Sequence, residues 1–268
     1  MGIIETVKQG RPIPCPVIDM HTHLGEYSLG GMHQLLRNLE DTVHVMDVAG
    51  IDCAVNSCAP LTFGDMALTN ELTKEMVRAF PGRIYGAIFA APHDGRDAVK
   101  KIMEKYVTEE GFVGVKIFTG AHGALDRREF EPMWEIANEG KFPVLCHMAG
   151  TSPGKECVLR ILERYPDAVV ILSHQGGAAA DIPTFAERMK DSKLYLDTSS
   201  VNKMPIPKLV ELCGADRLVY GSDYVVRDPR RELGKIVFSG ISEENMKKLF
   251  AENYVNLMAD SCMTKISL

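Results

Sequence analysis

Two histidines and an aspartate occupy alternate positions in one short apolar segment near the start of the chain. The segment is VIDMHTHLG, residues 17 to 25, and the three residues are Asp19, His21 and His23. Successive side chains of a β-strand point to opposite faces, so these three would share one face of a strand. Imidazoles and carboxylates bind divalent metal ions and also transfer protons. The spacing therefore predicts a metal-binding or catalytic site at the end of a buried strand, where Asp19 would orient a ligand histidine or anchor nearby backbone.

Four later apolar segments carry, at or near their ends, further residues that can bind metal ions, transfer protons or hold an anionic group. These residues are Lys116 in GVKIF, His147 in PVLCH, His174 in VVILSH and Asp223 in RLVYGSD. Histidine and carboxylate together suit a divalent ion such as Zn²⁺, and a site with three or four protein ligands leaves room for a reactive water. Such an ion lowers the pKa of its bound water toward ~7. We expect His147 and Asp223 to join the two histidines of the H-x-H segment, with Asp223 accepting the proton of that water.

The elements that would position these residues follow a regular alternation. Eight apolar segments show little polar alternation, which is typical of parallel strands covered by helices. Each of them is followed by a segment with helical periodicity. The predicted strands are VIDMH (17–21), DCAVNS (52–57), RIYGAIF (83–89), GVKIF (114–118), PVLCH (143–147), VVILSH (169–174), LYLD (194–197) and RLVYGSD (217–223). The predicted helices cover residues 35–50, 66–80, 95–110, 129–140, 154–165, 182–191, 206–214 and 241–258.

Eight βα units predict an α/β protein with a (β/α)₈ TIM barrel that forms a single domain over residues 1–268. In such a barrel, catalytic residues lie at the carboxyl ends of the strands, where the candidate residues stand. An open doubly wound sheet is the alternative fold. The residues after the first strand, HTHLGEYSLGG, carry neither a dinucleotide-binding nor a P-loop pattern, which disfavours it.

The composition excludes several classes of protein. Hydrophobic residues make up 46% of the chain, which is usual for a folded globular protein. The formal net charge is -6 and no block of lysine and arginine is present, so a nucleic-acid partner is not expected. The seven irregularly spaced cysteines fit reduced thiols. No apolar stretch approaches the ~20 residues of a membrane span. We therefore expect a cytoplasmic protein that acts on a small molecule and has no membrane partner. The sequence is compatible with a homo-oligomer.

The order of the candidate residues resembles the amidohydrolase superfamily. The sequence has DMHTH at residues 19–23 on strand 1, a lysine on strand 4, histidines on strands 5 and 6 and an aspartate on strand 8. The segments GFVGVKIF, VILSHQGG, LVYGSDYV and NYVNLM extend the likeness over most of the chain. They resemble the branch called amidohydrolase-related, or predicted TIM-barrel metal-dependent hydrolases.

This resemblance implies a divalent metal, with zinc expected first and manganese as the alternative. The implied ligands are His21, His23 and Asp223. In mononuclear members of the branch the strand 5 histidine, here His147, is also a ligand. The strand 6 histidine, here His174, then acts as acid or base, or polarises the reacting group.

The strand 4 lysine, Lys116, has two interpretations. In binuclear relatives this lysine is carboxylated and bridges two ions, with His147 and His174 binding the second one. Alternatively, Lys116 would hold an anionic substrate as a plain ammonium group. The resemblance to the branch favours one metal.

The branch contains hydrolases, lactonases and non-oxidative decarboxylases of aromatic or unsaturated acids. We expect a metal-activated water to hydrolyse an amide, ester or lactone bond, with Asp223 passing the proton to the leaving group. Decarboxylation of a small aromatic or unsaturated acid is the alternative, although the chain is short for such an enzyme. A barrel that binds metal or ligand without turnover is a second alternative, and the complete set of candidate ligands argues against it.

Overall fold

Eight parallel strands form one sheet in the computed structural model, and they follow one another around it in sequence order. The structure describes residues 2–25, 28–29, 32–33, 39–58, 65–119, 123–148, 155–179, 181–200 and 204–268. The strands are β1 (Ile18–Thr22), β2 (Cys53–Asn56), β3 (Ile84–Phe89), β4 (Phe112–Phe118), β5 (Pro143–His147), β6 (Val169–Leu172), β7 (Leu194–Asp197) and β8 (Leu218–Val219). All eight predicted strands are confirmed, although β6 and β8 end earlier than the sequence pattern indicated.

The sheet closes on itself through the residues that follow β8. The Asp223 amide donates a hydrogen bond to the His21 carbonyl at 2.8 Å, and the Tyr220 carbonyl accepts one from the Met20 amide at 3.2 Å. A parallel bridge joins Thr22 to Tyr224. These contacts connect the first and last strands, so the predicted single-domain (β/α)₈ TIM barrel is confirmed. Closure also brings the segment after β8 beside the end of β1.

The connecting segments are helical where the sequence pattern predicted helices. The helices are α1 (Ile3–Lys8), α2 (Leu39–Ala49), α3 (Met66–Ala79), α4 (Arg96–Tyr106), α5 (Glu131–Gly140), α6 (Lys155–Arg164), α7 (Ile182–Arg188), α8 (Ile206–Cys213), α9 (Pro229–Val237), α10 (Glu243–Lys247) and α11 (Asn253–Leu257). A π-helical turn, Lys248–Glu252, joins α10 to α11. The first residues predicted for α2 lie outside the described residues. None of the described helices combines membrane-spanning length with the apolar character that a bilayer requires.

Helix α4 illustrates how the sequence attaches a helix to the barrel. Its residues Val99, Met103 and Tyr106, spaced four and three apart, are fully buried. This spacing places the three side chains on one face of the helix. Burying each apolar side chain contributes about 1.5–3 kcal/mol. The buried face thus attaches α4 to the core of the barrel.

Candidate metal centre

The structure gathers all six predicted site residues at the carboxyl ends of the strands. His21 lies near the end of β1 and His23 follows that strand, while Lys116 lies on β4. His147 ends β5, and the remaining two follow β6 and β8 as His174 and Asp223. All of them except His147 are at most 4% exposed. The barrel therefore brings these side chains from distant segments of the chain to one rim.

Three electron-rich atoms converge at the end of β1. The Nε2 atoms of His21 and His23 are 3.2 Å apart. The Oδ1 atom of Asp223 lies 3.5 Å from each of those nitrogens. Ligands bound tetrahedrally at about 2.1 Å lie roughly 3.4 Å apart, so this triangle has the dimensions of a divalent metal site.

Hydrogen bonds on the far side of the two rings determine which nitrogens can bind a cation. The His21 Nδ1 atom lies 2.6 Å from Oδ2 of Asp197, and the His23 Nδ1 atom lies 3.0 Å from the carbonyl oxygen of Ser57. A carboxylate and a carbonyl can only accept, so both Nδ1 atoms must donate. The two Nε2 atoms, which face each other and Asp223, are then the ring nitrogens left to bind a cation. Such an arrangement suits a cation, and these residues fit a divalent metal.

Histidine protonation agrees with this fit. Burial lowers the pKa of His174 to about 4. Burial, together with the nearby charge of Lys116, places the pKa values of His23 and His147 well below the usual histidine range. These imidazoles are therefore neutral near pH 7, and the neutral imidazole is the form that binds metal ions.

His147 belongs to a second group rather than to the tight triangle. Ligand atoms of His21, His147 and His174 lie within 4.8 Å of one another. The His174 Nε2 atom is 3.2 Å from Nδ1 of His147. Within the described residues the structure thus places three of the four predicted ligands in one triangle and the fourth beside His174. His21 is common to both groups.

Lys116 is buried between the two groups. Its Nζ atom lies 2.6 Å from Nε2 of His21 and 4.8 Å from the ring centre of Phe118. Burial lowers the pKa of Lys116 to about 8, while the charges of Asp223 and Asp197 oppose that shift. The ammonium group and a metal ion would therefore compete for the same imidazole lone pair.

Phe118 forms an apolar wall of the site. Its ring centre lies 5.0 Å from that of His147 and 5.7 Å from that of His23. Phe118 stands two residues after Lys116 on β4, so both side chains point to the same face of the strand. Phe118 was not predicted from the sequence, although its alternation with Lys116 along β4 was available as a signal.

Asp197 is another site residue that was not predicted from the sequence. Besides binding the ring of His21, it accepts hydrogen bonds from the backbone amides of His174 and Ser199 at 2.8 and 3.0 Å. Burial alone would raise its pKa, but the adjacent His21 and His174 hold the pKa of Asp197 below its ordinary value. The segment LYLD placed a carboxylate at a strand end, and that position was the available signal.

Asp19 does not contact the ring of a ligand histidine in the described structure. Its carboxylate accepts hydrogen bonds from the amide and hydroxyl of Ser222 at 2.9 and 2.5 Å, and from the His21 amide at 3.3 Å. Burial raises the pKa of Asp19 to about 7. Of the two predicted roles, the structure supports a backbone anchor, because Asp19 ties β1 to the residue before Asp223.

Glycine is required in the turn that carries His174. The residues after β6 read SHQGG, and His174 and Gln175 have φ values of +55° and +53°. Gly177 also has a positive φ, and a Cβ atom there would lie 1.4 Å from the carbonyl oxygen of Met148. No other residue fits such a close approach. The turn therefore packs tightly against the end of β5, which brings His174 beside His147.

Replacing Asp197 with asparagine is expected to weaken metal binding by about 10- to 100-fold. The side-chain NH₂ group of the asparagine would donate a hydrogen bond to the His21 Nδ1 atom, which would then have to accept it. The ring would therefore adopt the tautomer whose Nε2 carries the proton and cannot bind a metal ion. A competition titration with a chelator measures the affinity. Asp191→Asn, at an exposed position, is the control. An unchanged affinity in the Asp197 variant would show that this carboxylate does not orient His21.

Comparisons with solved structures agree with the barrel fold. The chain resembles the solved structure of 2,6-dihydroxybenzoate decarboxylase from Rhizobium, with 17% identity over 91% of this chain and 98% of that one, at a TM-score of 0.74. Dihydroxybenzoic acid decarboxylase from Polaromonas sp. JS666, solved with bound manganese and the inhibitor 2-nitroresorcinol, matches at 19% identity over 91% and 97%, at a TM-score of 0.73. 5-Carboxyvanillate decarboxylase from Sphingomonas paucimobilis matches at 15% identity over 92% and 100%, at a TM-score of 0.74. At these identities the likeness shows the fold.

The family comparison covers the whole site. A family model described as amidohydrolase matches residues 18–253, a range that contains every predicted site residue from His21 to Asp223. The order of ligand types along the barrel strands, the closed sheet and this match all lead to the same assignment. The chain belongs to the amidohydrolase family.

Proposed function

We propose that this protein is a metal-dependent hydrolase of a small molecule that carries an amide, ester or lactone bond. The observation that supports the proposal is the triangle of His21, His23 and Asp223 atoms, with sides of 3.2, 3.5 and 3.5 Å. These three residues would hold one divalent ion, zinc first and manganese as the alternative. The bound ion would polarise a carbonyl group and lower the pKa of a nearby water.

Two residues would move protons in this reaction. Asp223 lies in the triangle itself, so its carboxylate can accept the proton of the attacking water and pass it to the leaving group. His174 can also act as a base through Nε2. The Ser199 hydroxyl donates to Asp197 at 2.7 Å, so the His174 Nδ1 atom, 3.0 Å away, must donate to that hydroxyl. The Nε2 atom of the neutral ring then keeps its lone pair.

Decarboxylation of a small aromatic or unsaturated acid is the second candidate function. Its support is that several similar solved structures are decarboxylases of aromatic acids, three of which were solved with manganese. The buried ammonium of Lys116 would then attract the substrate carboxylate.

In a site with two ions Lys116 would instead bridge them as a carbamate, with His147 and His174 binding the second ion.

The decisive experiment combines metal analysis with product analysis. Purified protein would be analysed for its metal content, stripped with a chelator and restored with Zn²⁺ or Mn²⁺. Each form would be assayed on lactones, amides, esters and aromatic acids. Hydrolysis that depends on the restored metal supports the main proposal, whereas metal-dependent release of CO₂ supports the decarboxylase. A protein that binds one ion and turns over no member of the panel would favour a non-catalytic binding barrel.

His174→Asn is expected to lower the turnover number by about 100-fold or more while the metal content stays at one ion per chain. The substitution removes the Nε2 base, but it leaves the triangle of His21, His23 and Asp223 intact. Metal analysis and steady-state kinetics on the best substrate test this prediction. Loss of metal along with activity would instead assign His174 to a second ion.

A further inference from the structure

The two carboxylate oxygens of Asp223 have different surroundings. Oδ1 faces the two histidine nitrogens at 3.5 Å. Oδ2 lies 2.9 Å from the hydroxyl oxygen of Ser200, a residue in the loop after β7 that neither the motif pattern nor the family resemblance identified. A hydrogen bond to Oδ2 restricts rotation of the carboxylate about its bond to Cβ, so it fixes the direction in which the other oxygen points.

The direction of this hydrogen bond follows from a second contact. Nε of Arg227 lies 3.1 Å from the same Ser200 hydroxyl. A guanidinium nitrogen can only donate, so the hydroxyl must accept from Arg227 and direct its single proton to Asp223. The positive charge on the accepting side polarises the hydroxyl and strengthens the bond that it donates.

Ser200 is held in an uncommon backbone conformation. Its φ is +62°, in the left-handed region that non-glycine residues rarely adopt. The Ser200 amide donates to Oε2 of Glu232 on helix α9 at 3.0 Å. Glu232 is only 1% exposed and forms an ion pair with Lys235, whose Nζ also donates to the Thr198 carbonyl at 3.0 Å. A buried ion pair on α9 therefore attaches the loop after β7.

We infer that Ser200 is a positioning residue of the metal centre, and this inference rests on the metal site proposed above. Its hydroxyl holds Oδ2 of Asp223 so that Oδ1 remains directed at the lone pairs of His21 and His23. Glu232 holds the Ser200 backbone in the left-handed conformation that this contact requires. Groups that orient metal ligands commonly change metal affinity by about 10- to 100-fold when they are removed.

Two substitutions separate this role from a purely structural one. Ser200→Ala and Ser200→Gly remove the same hydroxyl, but only glycine adopts a positive φ without strain. Both variants are expected to bind Zn²⁺ about 10-fold or more weakly than the wild type. The apo form of the glycine variant should melt at or above the temperature of the alanine variant. Zn²⁺ affinity is measured by competition with a chromogenic chelator, and melting of the apo proteins by circular dichroism.

Ser239→Ala is the matched control, because Ser239 lies just after helix α9 and its hydroxyl bonds only to nearby backbone, donating to the Ile236 carbonyl and accepting from the Ile241 amide. Its Zn²⁺ affinity should equal that of the wild type. If the wild type binds Zn²⁺ and both Ser200 variants bind it equally well, the positioning role is overturned while the metal site stands. The role is also overturned if only the alanine variant melts at a lower temperature and binds Zn²⁺ more weakly, while the glycine variant binds Zn²⁺ as well as the wild type. Failure of the wild type to bind Zn²⁺ overturns the metal site and this inference together.

Discussion

Asp223→Asn is expected to empty the metal centre and to lower catalytic efficiency roughly 1,000-fold or more, which corresponds to about 4 kcal/mol of transition-state stabilisation. The substitution removes the single negative charge of the triangle and places an amide where Oδ1 or Oδ2 stood. It also removes the proposed proton acceptor. The two losses act on the same reaction, so the effect should exceed that of any substitution outside the triangle.

Metal analysis by mass spectrometry and kinetics on the best substrate test this prediction. Folding should survive, because asparagine has nearly the same shape as aspartate and can still accept from the Ser200 hydroxyl. Circular dichroism would check this. Asp191→Asn, an exposed change of the same chemistry, should keep both metal and activity. Wild-type metal content in the Asp223 variant would remove this residue from the ligand set.

His21→Ala is expected to have a comparably large effect, because His21 belongs to both histidine groups. Its loss removes one ligand from the triangle and one from the cluster with His147 and His174. Metal content should therefore fall to background whether the enzyme uses one ion or two. Activity should fall by roughly 1,000-fold or more.

The companion variant His147→Ala distinguishes the two arrangements. A site with one ion bound by His21, His23 and Asp223 should keep about one equivalent of metal in this variant. A binuclear site should fall from two equivalents toward one. His44→Ala, an exposed histidine on α2, serves as the control. Equal metal content in the His21 variant and the wild type would exclude His21 as a ligand.

The fold and the positions of the candidate residues were accessible from the sequence because both depend on local periodicity. Alternation along β1 placed His21 and His23 on one face, and the βα repeat indicated a barrel whose strand ends meet at one rim. The same reasoning covered Lys116 and Asp223. Asp197 stood at a strand end too, but nothing in its own segment indicated that it would bind the ring of His21.

The contacts that organise the site depend on closure of the sheet and on how its segments meet. Asp19 and Ser222 are separated by 203 positions and meet because the residues after β8 pair with β1. The grouping of His147 with His174 depends on a turn that passes tightly over the end of β5. By itself, the sequence determined the barrel, its rim of histidines and carboxylates, and the family. Only the tertiary structure decided which ligand atoms converge and which groups orient them, because hydrogen-bond partners across a closed barrel follow from strand register and loop packing rather than from local pattern.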